Sequence, residues 1–258
     1  MVANEAAIED ADSSQLAVSV SEVTTVFPDY PQLRIENSKS FIFPQSFKIS
    51  TYLYAFAAGA FGYYERKTDG LPTMRIYARQ SLMREVNYPL MFDVTESGIS
   101  FYVNYFQTPY PFRKYDQVFV PEHMFGAMEN VGMVTYNESY LYKNQSKTLA
   151  KLLRFSITNL HELAHMWFGN LVTMKWWNDV WLNESFATFM SFMAMERSPK
   201  LARFHETCWQ GFLQFKYWGM TTDSLSSTHP ICCSIANTGE AETLFDGISY
   251  GKGCDFLM

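Results

Sequence analysis

The run His161-Glu162-Leu163-Ala164-His165 constrains this chain more than any other, because it sets three ionisable side chains into an otherwise apolar helical stripe. Leu149, Leu153, Ile157, Leu160 and Ala164 recur at helical spacing from about Ser146, and Gly169 supplies a stop. Positions four apart on an α-helix lie only about 40° apart around the axis, so His161 and His165 project together, one turn apart. Two imidazoles so placed can hold one zinc ion. Glu162, one step round the helix, is set to reach a water on that metal rather than the metal itself. A structural zinc site closes its fourth position with Cys or His, whereas a catalytic site leaves it open for water, whose pKa falls to about 7.

Two ligands do not complete such a site, and Glu184 is the candidate third. Eighteen residues separate it from His165, and Trp181 to Ala187 around it reads as the buried face of a following helix. An unpaired carboxylate is costly there, which argues for a cation. That helix is expected from Asn178 or Asp179, either of which can cap it, to Arg197 ahead of Ser198-Pro199. A third helix is expected over about Pro199 to Met220. The four Cys, at 208, 232, 233 and 254, form neither a C-x-x-C motif nor an evident disulfide framework, and free, mostly buried thiols are expected. His123 and His205 lack partners at metal spacing and read as structural, His229 as a packed turn residue, and Trp176, Trp177 and Trp181 as core.

His161 to His165 followed by Asn183-Glu184 resembles the gluzincin metallopeptidases, and Gly126-Ala127-Met128-Glu129-Asn130 looks like the GAMEN exopeptidase signature of the aminopeptidase N and puromycin-sensitive aminopeptidase family. The resemblance covers about residues 40 to 258, including Tyr52-Leu53-Tyr54-Ala55-Phe56, Tyr110-Pro111-Phe112, Thr228-His229-Pro230-Ile231 and Ile248 to Gly253. It implies an α+β, thermolysin-like metallopeptidase catalytic domain preceded by the tail of an all-β N-terminal domain. It also implies a zinc-dependent aminopeptidase acting on peptides with a free N-terminus. Zinc would sit on His161, His165 and Glu184, with Glu162 as general base and Tyr250 as donor to the oxyanion. Glu129 would pair with the substrate's α-ammonium, Gly126 and Ala127 would admit the substrate backbone, Met128 would line the first side-chain pocket, and Asn130 would be a further substrate-binding residue. Val131 departs from the aromatic commonly found there. The competing readings are an endopeptidase, a related epoxide hydrolase, or a non-catalytic scaffold subunit. The filled ligand positions argue against the last.

The remainder of the chain fits this picture. A formal net charge of −6 and the absence of a Lys/Arg block argue against nucleic acid. Residues 1 to 20 lack the basic start and apolar core of a signal peptide, and Ile49 to Tyr64 is too short to span a bilayer, so a cytoplasmic protein is expected. Residues 1–14 read as a disordered lead, 15–68 as the end of an N-terminal β-domain with strand-like runs at Leu16–Val26, Leu33–Ile35, Phe41–Phe43 and Tyr52–Tyr64, and 69–258 as the catalytic domain. Lys67-Thr68-Asp69-Gly70 is the turn chosen as the division. Thr73–Ala78, Gln117–Pro121 and Met133–Asn137 are expected strands. A helix with Pro89 near its start is expected to bury Leu90, Val94, Phe101 and Tyr105. No C-terminal helical domain follows Met258, so other chains or domains of a parent protein are expected partners.

Overall fold

A computed structural model describes residues 2–3, 23–27, 30–38, 43, 45–142 and 148–258. Its strands are β1 (Val2–Ala3), β2 (Val23–Phe27), β3 (Tyr30–Ser38), β4 (Phe56–Ala57), β5 (Phe61–Arg66), β6 (Thr73–Arg79), β7 (Lys114–Val120), β8 (Ala127–Met128) and β9 (Met133–Asn137). The helices are α1 (Tyr88–Phe106), α2 (Leu149–Ala164), α3 (Val180–Arg197), α4 (His205–Asp223), α5 (Thr238–Ala241) and α6 (Gly253–Leu257). The expected lead beyond residues 2–3, the run from Leu16 to residue 22, residues 41–42 and Ser146 lie outside the described residues. Val2 and Ala3 themselves pair antiparallel with β4, and β2 pairs antiparallel with β3.

The sheet that carries the site has the order β5-β6-β7-β9-β8. β6, β7 and β9 run parallel, and antiparallel β5 and β8 form its edges. The turn at Lys67–Gly70 joins β5 to β6, which pair from Phe61↔Arg79 to Arg66↔Met74, so one sheet runs across the expected division between 15–68 and 69–258. Gly70 takes the left-handed φ of +79° that this turn requires.

Parallel β6 and β7 need a crossover, and α1 provides it. Pro89 sits in its first turn, as expected. The expected single stripe is not what is buried: Tyr105 is exposed and Phe101 partly so, while Leu90, Met91, Phe92, Val94, Thr95, Ile99 and Tyr102 are all buried. The reason is position, since α1 is covered by the sheet on one side and by α2 and α3 on another. Met74, Ile76 and Ala78 of β6 alternate inward to this core, and Val118 and Met133 face a second, smaller cluster with Ala57 and Phe61.

Contacts between α1 and α2 set where the histidines point. A Cβ on Gly98 would come within 2.6 Å of both Leu160 and Leu163, so this glycine permits the close approach of the two helices. Tyr102 donates to the Leu160 carbonyl at 2.8 Å. A buried polar chain locks the register: Gln117 Nε2 donates to Thr95 Oγ1 (3.1 Å), and Asn159 Nδ2 donates to Gln117 Oε1 (2.8 Å) and toward the Tyr136 hydroxyl (3.2 Å). Asn159→Ala leaves several of these groups buried without partners, and the expected loss is about 2–3 kcal/mol of stability. A urea denaturation midpoint equal to that of the unchanged protein would show that the chain of bonds is dispensable.

α2 begins at Leu149 with Thr148 as its cap, whose Oγ1 accepts from Lys151 N at 3.3 Å. For α3 the expected cap is not made. Asp179 occupies the position without a side-chain capping bond, because a 3₁₀ turn over Trp177–Asp179 leads in, and Asn178 Oδ1 accepts instead from Ile235 N at 3.3 Å. The expected third helix is a 3₁₀ turn over Pro199–Phe204 that passes directly into α4. No helix among the described residues is long and apolar enough to cross a membrane.

Candidate metal centre and catalytic site

α2 ends at Ala164, and His165 follows in helical conformation at the cap, so both histidines still project from one face. Their Nε2 atoms lie 3.0 Å apart. From α3, Glu184 brings Oε2 to 3.2 Å from His161 Nε2 and 3.5 Å from His165 Nε2. The structure thus gathers the three expected ligands at one point, and Glu184 and His165 are almost wholly buried.

Each ligand is held from behind. His165 Nδ1 meets the Phe168 carbonyl at 3.1 Å, so with the proton there Nε2 presents its lone pair to the centre. His161 Nδ1 faces Thr188 Oγ1 at 3.2 Å, and Glu184 Oε1 accepts from Asn183 Nδ2 at 3.2 Å. Gly169 has φ +127°, and a Cβ there would lie 2.5 Å from Asn183 Oδ1 and 3.0 Å from His165 Nδ1. Gly169, expected to end the helix, lies beyond its observed end at Ala164, and its place is set by the packing of the ligand set. Thr188 was not singled out in the sequence, although its place one turn beyond Glu184 was a usable signal; Asn170, which donates to the Glu129 carbonyl at 2.9 Å, had none.

Glu129, Glu162 and His165 form a second buried cluster sharing His165 with the first. Burial pushes the Glu162 carboxyl well up, the Glu129 charge adds to this, and His165 opposes it. Burial raises Glu129 too, against His165 and together with Glu184. Burial disfavours protonated His165, yet Glu129, Glu184 and Glu162 push it up to about 10. Burial opposes ionisation of Glu184 as well, but His165 and His161 hold it far below the usual carboxylate range. Three carboxylates around two imidazoles leave the pocket short of positive charge. Two imidazole nitrogens and one carboxylate oxygen on the same point are the donor set of a catalytic zinc site with an open position, so the residues fit that ion.

Gly126, Ala127 and Met128 lead into Glu129 along β8, where Ala127 pairs with Tyr136 and Met128 with Thr135. The far side of β8 is the edge of this sheet. Asn130 ties the segment down, with Nδ2 donating to the Leu53 carbonyl at 3.4 Å and Oδ1 accepting from Thr135 Oγ1 at 3.1 Å. Tyr250 lies on a π-helical turn over Ile248–Lys252, its ring 5.9 Å from that of His161, with Trp218 behind it at 6.0 Å. Burial first, then the charges of Glu184 and Glu129, keep its phenol protonated. That turn packs backbone to backbone on α4 through Gly251 and Gly219.

Other expectations fare differently. His123 bonds Phe125 O and Thr135 Oγ1 of β9, and His205, the first residue of α4, bonds Ser198 O. Trp176, Trp177 and Trp181 are not core, for none is buried. They stand where the chain enters α3, with the Trp177 ring tilted against that of Tyr52 at 5.3 Å and Trp176 bonded to the Ile235 carbonyl. The cysteines are free, but only Cys208 and Cys254 are buried.

Residues 90–258 match the peptidase family M1 domain. The chain is 42% identical over 215 residues to aminopeptidase N of Streptomyces lividans, covering 81% of this chain and 25% of that protein. It is 37% identical over 257 residues to leucyl aminopeptidase of Saccharolobus solfataricus, covering 94% and 31%. With glutamyl aminopeptidase of Bitis rhinoceros it shares 39% over 222 residues, covering 84% and 22%. The chain therefore spans about a quarter to a third of the length of the curated relatives it matches.

Proposed function

The chain belongs to peptidase family M1, and on that premise we propose that it carries the catalytic centre of a zinc aminopeptidase that removes residues from the free N-terminus of peptides. The observation that carries this reading is the convergence of His161, His165 and Glu184 on one point, with Glu162 and Glu129 buried beside them. We read the parallel-stranded sheet with α1 to α4 as a thermolysin-like unit. Its start is set at β5 rather than at Asp69, because β5 pairs with β6 along its whole length.

A zinc ion would be held by His161, His165 and Glu184, and there it would supply Lewis acidity toward the scissile carbonyl and toward a water. Glu162, which burial and Glu129 make a better proton acceptor than an ordinary carboxylate, takes the proton from the attacking water and delivers it to the leaving amine. Tyr250 keeps its proton and donates it in a hydrogen bond to the oxyanion. Glu129 accepts from the α-ammonium, and β8, outermost in the sheet among the described residues, offers backbone groups to an extended peptide. This sets the cut one residue from the terminus.

Selectivity for a free N-terminus tests the reading. An ammonium gives buried Glu129 a charge-assisted bond about twice as strong as a neutral one, whereas an acetylated peptide leaves the carboxylate desolvated, a penalty of about 1–3 kcal/mol or more. Free-amine peptides are expected to be trimmed stepwise and acetylated ones to resist, and Glu129→Ala should raise KM for the former and narrow the gap. Equal cleavage of both kinds by the unmodified enzyme would replace the aminopeptidase with an endopeptidase.

A further inference from the structure

β7 opens on Lys114, whose ammonium is buried on the face of the sheet opposite α1. Strand alternation puts Lys114 and Asp116 on the side of Val118 and Met133, away from Gln117 and its bonds to Thr95 and Asn159. Lys114 Nζ donates to Asp116 Oδ2 at 2.6 Å and to the Gly132 carbonyl at 2.8 Å. That carbonyl also accepts from Asp116 N at 3.2 Å. Gly132, at φ +66°, is the left-handed corner of a turn that Met133 N closes on the Asn130 carbonyl at 3.0 Å. Glu129 lies between β8 and this turn.

The Glu129 segment is thus held at three points. Asn170 donates to its own carbonyl, Asn130 bonds Leu53 and Thr135, and Lys114 fastens the far end of the turn to β7. A buried ion pair is a poor source of stability, because desolvation of both charges offsets their attraction. Here Asp116 Oδ1 is buried without a hydrogen-bond partner, and burial pushes the Asp116 carboxyl up against the pull of Lys114 and Arg75. What the pair does supply is a fixed carbonyl behind Glu129. We propose that Lys114 is a positioning residue for recognition of the substrate's N-terminus: clamped by Asp116, it pins the Gly132 turn to the sheet and so fixes where the Glu129 carboxylate stands. The inference rests on the reading of Glu129 as the ammonium acceptor. Such a carboxylate has little tolerance, since a misplacement of about 1 Å costs on the order of 10²-fold.

Leucine hydroxamate and its deamino analogue, isocaproyl hydroxamate, differ only in the amine, and calorimetry gives the Kd of each for the zinc-loaded protein. The unmodified protein should bind the amine-bearing compound about ten- to hundred-fold more tightly, the range for a hydrogen bond to a charged group. The double variant Lys114→Met, Asp116→Leu replaces the pair by apolar side chains and leaves no unpaired charge behind. In it the ratio should fall about ten-fold, while zinc content and affinity for the deamino compound hold. Lys114→Leu, Asp116→Val gives the same comparison where the first pair does not fold. An ion pair of merely structural importance would shift Tm and leave the ratio alone, so a ratio unchanged in either folded variant overturns the inference. Equal affinities for the two compounds in the unmodified protein would instead overturn the reading of Glu129, and this inference with it.

Discussion

Glu162→Gln is expected to leave one zinc per chain while lowering kcat about 10²- to 10⁴-fold, the usual contribution of a positioned general base. That range corresponds to about 2.7–5.4 kcal/mol of barrier. The amide keeps the shape of the side chain in a pocket where Glu162 is buried, so packing of α2 should be undisturbed. What it loses is the ability to take a proton. The three converging ligands are His161, His165 and Glu184, which leaves metal content independent of the change. Metal analysis and steady-state kinetics on the same preparation separate the two effects. Unchanged turnover would move the base elsewhere, and Glu129 is the other buried carboxylate in the second cluster.

His161→Ala or His165→Ala should abolish stoichiometric zinc, because two remaining ligands do not hold a tetrahedral ion against water and chelators. The consequence extends to stability. An ion that binds the folded chain and not the unfolded one raises the melting temperature in proportion to its binding free energy. A chelator should therefore lower Tm of the unmodified protein and leave that of the His161→Ala, His165→Ala double variant unmoved. The variant also removes His165, the positive partner of Glu129, Glu162 and Glu184, which are already crowded. Full zinc occupancy in the double variant would defeat the assignment of the centre.

The local parts of this site were legible in the residues alone. The spacing of His161 and His165 follows from helical periodicity, a property of five neighbouring residues, and the apolar stripe from Leu153 to Ala164 named the helix that carries them. Met133–Asn137 was recovered as β9 to the residue, since flanking turn residues bound it on both sides. Glu184 was signalled by its own setting, a carboxylate on an otherwise apolar helix face, whereas Glu129 and Tyr250 were reached through resemblance, for nothing in their surroundings distinguishes them from ordinary turn or structural residues. The tertiary structure decided the rest. Which strand β5 joins depends on pairing, and pairing is a choice among edges that a hairpin turn at Lys67–Gly70 does not reveal. Thr188 behind His161, Asn170 on the Glu129 carbonyl, and Gly169 against Asn183 and His165 arise where separate segments cross. Cys233, His229 and Asp246, which meet in that order, show the same division. The first two are four positions apart, within reach of a turn, whereas Asp246 comes from thirteen positions further on and is placed by its bonds to the backbone of Ile248 and Ser249. Periodicity is written in neighbours, but the walls of a site are written in contacts between distant segments, which form only when the core has packed.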